Sequence, residues 1–597
     1  MAMDLLNRRF METRGGKLPL IERSVPLTGG MNTRVAPQHL PDGTASYLEN
    51  VDLSDPFVPK LRDGYGLIGS AQTSIDAALL AKRINSMGAL SPTGTTATSL
   101  IITIPNAAAG RTYRTTDTTS AWSECLTGGA ASYDPGAAVD VPTAQAADCY
   151  YILGTVPAAI DTAGLVVLST STAEIAPATG GSPPTTGVDL AYLLGRLWIL
   201  TSDCYLAYSK FQPTAASINS DWAATGVASF TTSVASRLAV SPNSSQVARG
   251  LIAWNGTSLL CFYDNSIEEV IIGDASDPFS DASRHVLEPR FGLIGRRAKA
   301  VIGQEVIFMD QFGAVRTLTQ TVNGTQAGVT PLPLSEAMDA EFGRDGLTGR
   351  INLGAANRIH FQIVRNRLLI FYPRDSSTEC NAVAVYNLAL RYWEGVWPTA
   401  HEQGCSCVSD IRGNGSNGFE LFATNGSTTT PLSKVYRWFN GGYTDDGTTY
   451  EYVEMTRGFP FEAFENPKLF GVMELDGMAS AGMQALVALQ IDEDGVFQES
   501  SQTWTGVALP GDFPLTSSSF PLTASSFPLT DSVLRLVRRT FSFEEMDEIG
   551  HRGRFARIRI RSRPRNAGDF WQRHGYRLTA KMEAVDWILS DDGDVTE

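Results

Sequence analysis

The sequence predicts an all-β fold: a β-propeller with an additional C-terminal β domain and an N-terminal extended segment. Three observations lead there. The 597-residue chain is 43% hydrophobic but only 18% charged, with Gly, Thr, Ser and Ala filling the difference, a mixture that favours strands and turns over helices. Apolar runs of about four to eight residues recur between Gly, Asn, Asp and Ser, which is the strand-and-turn signature. Helical periodicity is scarce; "SIDAALLAKRI" at 74–84 and "LSEAMDAEFG" at 334–343 are the short candidates.

At this length a single core is too small, and about three to five domains are expected. Residues 1–60 read as a docking segment, 61–440 as the propeller and 441–597 as the C-terminal β domain. The propeller assignment rests on a layout of strand, tight turn and aromatic-rich strand that recurs at 189–211, 250–271, 297–318, 360–396 and 418–439. Its spacing of about 40–60 residues is near a propeller blade period, and five to seven blades fit. Asn255-Gly256 marks a hairpin turn. Residues 85–188, rich in Thr, Ala, Gly and Pro, read as early blades with long connections or as an inserted β domain. "TTDTTSAW" (115–122) has the spacing of the Asp-box turn of propeller blades, with Asp117 and Trp122 in place and Thr119 where Gly is expected.

The C-terminal domain reads as a sandwich. In "GRFARIRIRSRPR", Arg557, Arg559, Arg561 and Arg563 share one strand face and Ile558 and Ile560 the other. Such a face suits phosphates, a carboxylate-rich partner, or local ion pairs in solvent. "FPLTSSSFPLTASSFPLTDS" (513–532) repeats Phe-Pro-Leu-Thr three times in seven-residue units, and its prolines forbid a continuous helix. It is either a product of replication slippage in a surface loop or an apolar loop presenting Phe513, Phe520 and Phe527 to a subunit or partner.

A net charge of −16 argues against a broad phosphate-gripping surface. The six histidines form no H-x-x-x-H or H-E-x-x-H pair, and neither a nucleophile elbow nor a P-loop occurs. Cys405 and Cys407 near His401 lack the second ligand pair of a zinc site and read as buried thiols. "IDEDG" (491–495) lacks the remaining spacing of a calcium loop. No catalytic residue, cofactor or metal is expected. Without a signal-peptide core or an apolar run long enough to span a bilayer, synthesis in a cytosol without stable membrane insertion is expected.

One stretch resembles a known family. In "LTGGMNTRVAPQHLPDGTASYLENVDLSDPFVPKLRDGYGLIG" (27–69), Gly29, Gly30, Asn32, Thr33, then Leu40 to Gly43 with Asp42, then Leu48, Asn50, Val51, Arg62, Gly64 and Tyr65 resemble the opening string of tail nozzle proteins (tail tubular protein B) of short-tailed bacteriophages. Residues 292–318 and 384–397 look like blades of the same group. The resemblance implies a structural, non-enzymatic virion protein. It would form a homo-hexameric ring beneath the portal and tail adaptor, retaining the packaged double-stranded DNA and conducting it during ejection. Tail fibres or distal tail proteins would be its other neighbours. An acidic wall that repels phosphates suits a conduit. A head-to-tail hub or DNA-retention plug, and a glycan-binding or glycan-cleaving spike, are the alternatives.

Overall fold

A computed structural model describes residues 20–582 apart from 69–74, 92–97, 106–110, 117–120, 128–130, 133–140, 147–148, 154–164, 169–173, 178–186, 209–236, 240–245, 274–281, 321–326, 330–331, 344–348, 410–418, 427–432, 441, 460–467, 481–482, 493–496, 504–535, 543–551, 565 and 567–568. The chain divides into two compact units: 63–448, and a discontinuous unit made of 1–62 and 449–597. The segment expected to stand apart at the N-terminus therefore shares a unit with the C-terminal β domain.

Unit 63–448 is a ring of antiparallel four-stranded blades. The first is Ser86–Leu90, Ser99–Ile104, Arg111–Thr115 and Ser123–Glu124. The second is Thr143–Ala146, Cys149–Leu153, Leu165–Leu168 and Glu174–Pro177, with two short strands added at its edge. The third is Gly187–Leu193, Arg196–Thr201, Tyr205–Tyr208 and Arg237–Ala239. Ala248–Trp254, Ser258–Tyr263, Ile267–Ile271 and Ser283–Glu288 make the fourth. The fifth follows as Lys299–Ile302, Glu305–Met309, Val315–Gln320 and Ala327–Val329.

The long strand Tyr392–Ser409 serves two blades. Its first half pairs with Cys380–Asn387 and ends the sixth blade, which begins with His360–Val364 and Arg367–Tyr372. Its second half pairs with Glu420–Asn425 and opens the seventh, continued by Val435–Trp438. The seventh blade's outer strand comes from the other end of the unit: Tyr65–Leu67 pairs with Tyr436, Arg437 and Trp438. N-terminal and C-terminal chain thus close the ring together.

Blade-to-blade packing is apolar and continuous. Leu100, Ile102 and Tyr113 of the first blade pack with Cys405, Cys407, Phe422 and Val435 of the seventh. Leu90 and Ile101 meet Tyr150 and Ile152 of the second. A Cβ on Gly187 would overlap Leu153, so the second and third blades approach as closely as glycine allows. The third and fourth share a core around Trp198, Leu206, Leu259 and Tyr263. Phe262 meets Phe308 at 5.6 Å and the Trp254 indole donates to the Gln304 carbonyl at 3.0 Å, joining fourth to fifth. The Phe361 amide donates to the Arg297 carbonyl at 3.0 Å, joining fifth to sixth. Leu369, Phe371, Trp397 and Trp438 join sixth to seventh. Each such fully buried side chain stabilises by about 1.5–3 kcal/mol.

The expected turns are present. Asn255 and Gly256 have φ of 51° and 73°, as do Leu194 and Gly195 at 50° and 72° and Arg365 and Asn366 at 50° and 59°, the left-handed pairs that match strand twist in a tight hairpin. The helical candidates shrink to Ala77–Leu80 and to Leu334–Met338 with Asp339–Phe342. Both stretches are too short in apolar repeat to sustain more turns outside a sheet.

The second unit is a sandwich. One sheet runs Tyr47–Glu49, Tyr452–Phe459, Ala556–Arg563, Gln484–Ile491, Gln498–Thr503. The other is built on Lys468–Ala479 and Trp571–Met582, with Leu536–Ser542 and Leu20–Arg23 at its flanks. Between them Arg573, 2% exposed, pairs with the fully buried Glu454 at 2.7 Å, and the Tyr452 hydroxyl donates to the same carboxylate. A buried pair of this kind costs little only while complete.

Closure of the ring by Tyr65 leads to a direct expectation. Tyr65 is buried, stacked on Trp438 at 5.0 Å, and its hydroxyl accepts from the His401 amide at 3.0 Å. Tyr65→Ala is expected to lower the unfolding free energy of the propeller by about 3–5 kcal/mol, the range for truncating a buried aromatic. Urea denaturation of the full chain checks it; a loss below about 1 kcal/mol would mean that the seventh blade closes without this strand.

Candidate functional site

The N-terminal string is a set of folding devices. Gly30 and Gly43 have φ of 62° and 75°, and a Cβ on Gly29 would overlap the Thr44 hydroxyl. Gly30–Met31 lies in parallel register with Thr44–Ala45, and Asn32 donates its amide to the Ala45 carbonyl. The Asn32 side chain accepts from the Arg34 amide at 3.0 Å, while Thr33 is half-buried beside it. Asp42 pairs with Arg457 at 2.7 Å. Asn50, left-handed at φ 55°, accepts from Arg62 Nε at 2.8 Å and donates to the Glu451 carbonyl at 2.9 Å. The fully buried Arg62 guanidinium lies 3.8 Å from the Tyr450 ring centroid. In the propeller unit, a Cβ on Gly64 would overlap the Thr444 carbonyl, and Tyr65 begins the closing strand. These positions specify turns and closure.

The arginine face appears as the alternation requires: Ile558 and Ile560 are buried and the arginines lie on the opposite face. Most of its charge is satisfied within its own chain. Arg561 pairs with Glu451 at 2.7 Å and with Glu499 at 3.1 Å, Arg559 with Glu499 at 3.1 Å, and Arg563 with Glu451 at 2.9 Å. On the neighbouring strand Leu486 and Ala488, both buried, stand directly opposite Arg561 and Arg559, and the Phe497 ring lies 4.5 Å from the Arg559 guanidinium. Arg557 differs. Its neighbours among the described residues are Met455 Sδ at 3.3 Å and the Phe497 ring at 5.9 Å, with no carboxylate, and burial pushes its pKa down to about 10.

Sequence reading missed a third constellation. Ser86, Met87, Val141, Thr143, Arg296, Arg297, Lys299, His360, Phe361, Gln362 and Ser406 line a cavity of about 220 Å³. These residues come from or lead into the first strands of five blades, so the cavity lies on the propeller axis. Asp189, from the third blade, accepts from Lys299 at 2.7 Å and from Arg296 at 3.4 Å, and from the Leu190 and Leu251 amides. Alongside, Arg83 holds Glu379 through two bonds of 2.9 and 2.7 Å, and Arg358 approaches it at 3.3 Å. Burial raises the Glu379 pKa despite these cations and lowers those of Arg83 and Arg358. The run "GRRAKA" (295–300) was the available signal, unread because blades separated by hundreds of residues complete the site.

Phe513, Phe520 and Phe527 lie outside the described residues, as do Asp117 and Thr119; Trp122 is buried against the first blade. Cys125, Cys204, Cys261, Cys380, Cys405 and Cys407 are buried and in no disulfide. Among the described residues no group of three or more His, Cys, Asp or Glu side chains is placed to hold a metal ion, and no helix is long and apolar enough to cross a membrane.

Fold and sites together define a β-propeller protein with an appended β-sandwich. No family model matches the chain and no curated protein matches it. One solved structure that it is similar to is the β-propeller domain of Myceliophteria thermophila Cps50 (Swd1), at 8% identity and a TM-score of 0.32, over 65% of this chain and 99% of that one.

The arginine ladder sets an acid limit on the sandwich. Against the upward push of burial, bonds from Arg563 and Arg561 hold the Glu451 carboxyl below its ordinary pKa. A depressed carboxyl contributes stability above its unfolded pKa, about 4.3, and that contribution disappears as pH falls through the folded value. Glu451→Gln is expected to cost about 1 kcal/mol at pH 7 and to lose less than the parent between pH 5 and pH 3. Urea midpoints at those pH values check this; identical acid profiles would show that the pair contributes nothing.

Proposed function

We propose that this protein is a structural, non-enzymatic subunit of a short-tailed phage tail. In this reading it is a nozzle of six copies beneath the adaptor that retains the genome and conducts it during ejection. The observation that carries the reading is the 27–69 string, which resembles the opening of tail nozzle proteins and whose glycines, Asn50, Arg62 and Tyr65 each have a distinct folding task. Net charge of −16 supports a conduit that does not grip its cargo. A ring of identical copies closes by heterologous contacts. Arg557, a partly buried cation without a described carboxylate partner, is the member of the arginine face suited to take one from a neighbouring copy. The Phe-Pro-Leu-Thr repeat would place Phe513, Phe520 and Phe527 against a neighbour or a distal tail protein.

Electron microscopy of the purified protein and of virions tests the reading. A sixfold ring below the adaptor is expected, with Arg557→Met reducing ring formation at least tenfold while leaving the monomer's urea midpoint near that of the parent. Absence of a ring from both samples would remove the nozzle reading; a normal ring from Arg557→Met would remove this contact from it.

A further inference from the structure

We propose that the axial cavity of the propeller binds a small oxyanion of the phosphate or dicarboxylate type. The proposal does not rest on the tail assignment. Arg296, Arg297 and Lys299 converge on one cavity in a chain whose net charge is −16. Asp189 already accepts from two backbone amides as well as from Arg296 and Lys299, and the Glu379 carboxylate, itself held by Arg83 and Arg358, lies within electrostatic reach of Arg297. The charge of Asp189 is shared among these four donors, while Arg297 directs Nη1 to the Gly404 carbonyl at 3.4 Å.

Two further lining groups point to a ligand. Ser406 Oγ is buried and makes no hydrogen bond. The Gln362 amide also lines the space, and it offers both donors and an acceptor. Guanidinium forks, an ammonium, a hydroxyl and an amide suit several oxygens of one anion. At about 220 Å³ the cavity has room for a phosphate or a short dicarboxylate but not for a nucleic acid strand. A metal cation would face the like charge of three side chains, and an apolar ligand would make no use of them.

The test is thermal unfolding of the full chain with phosphate, sulfate or malonate, each against chloride at matched ionic strength. A saturable rise in Tm is expected with at least one of the three, following binding to the folded state. Phosphate or sulfate acting best assigns the tetrahedral ion and malonate acting best the dicarboxylate; either supports the site. Gln362→Ala and Ser406→Ala are expected to keep the anion-free Tm within a few degrees while weakening the apparent affinity at least fivefold. No saturable rise with any anion, or an unchanged affinity in both variants, would overturn the proposal.

Discussion

Closure of the blade ring by Tyr65–Leu67 is the constraint on which the rest of this structure depends. A toroid of blades gains the packing of its last interface only if the final sheet is completed, and here the completing strand lies hundreds of residues from its partner Val435–Trp438. The strand is short, so its contribution comes from what it carries. Tyr65 stacks on Trp438 and reaches His401, and the Gly64 amide donates to the Gly442 carbonyl. Chain entering and leaving the propeller is thereby held side by side, with Asp445 paired in parallel to Tyr65. In sequence the propeller is thus an insertion between residues 62 and 449 of the other unit.

The sandwich obeys a parallel constraint in electrostatic form. Residues from both chain ends must meet before its polar interior is satisfied. Arg62 is completed by Asn50 and Tyr450, and Arg573 by Glu454. Removing one member leaves a buried charge, at about 3–5 kcal/mol. The propeller repeats the device at Arg367–Glu394 and at Arg374–Glu341, where the Tyr372 hydroxyl also donates. An acidic chain with few cations thus spends many of its arginines inside.

Periodicity of the strands was legible in the sequence because it is local. Asn255-Gly256, the aromatic strands around Trp198 and Trp397, and the Arg/Ile alternation of 557–563 each need only a few neighbouring residues to be read. Pairing was not legible. Nothing near Tyr65 names Trp438 as its partner, and nothing near Arg561 names Glu451 or Glu499, so of the readings the sequence left open for that face, local ion pairs became visible only in the fold. The division into units failed to show for the same reason: residues 20–62 join strands more than four hundred positions away. The axial cavity is the extreme case, since five blades contribute short pieces to it, from Ser86 to Ser406, and its cations Arg296, Arg297 and Lys299 are one of those pieces.

Hydrogen exchange at the closing strand measures the central claim most directly. The Ile68 amide donates to Val435, Phe439 to the Gly64 carbonyl and Asp446 to the Tyr65 carbonyl. If closure holds the propeller together, these amides exchange as slowly as those of Leu369 and Phe371 in the sixth blade, because all open only with the unit as a whole. Exchange of Ile68, Phe439 and Asp446 at the rate of open loops, with Leu369 and Phe371 still protected, would contradict it.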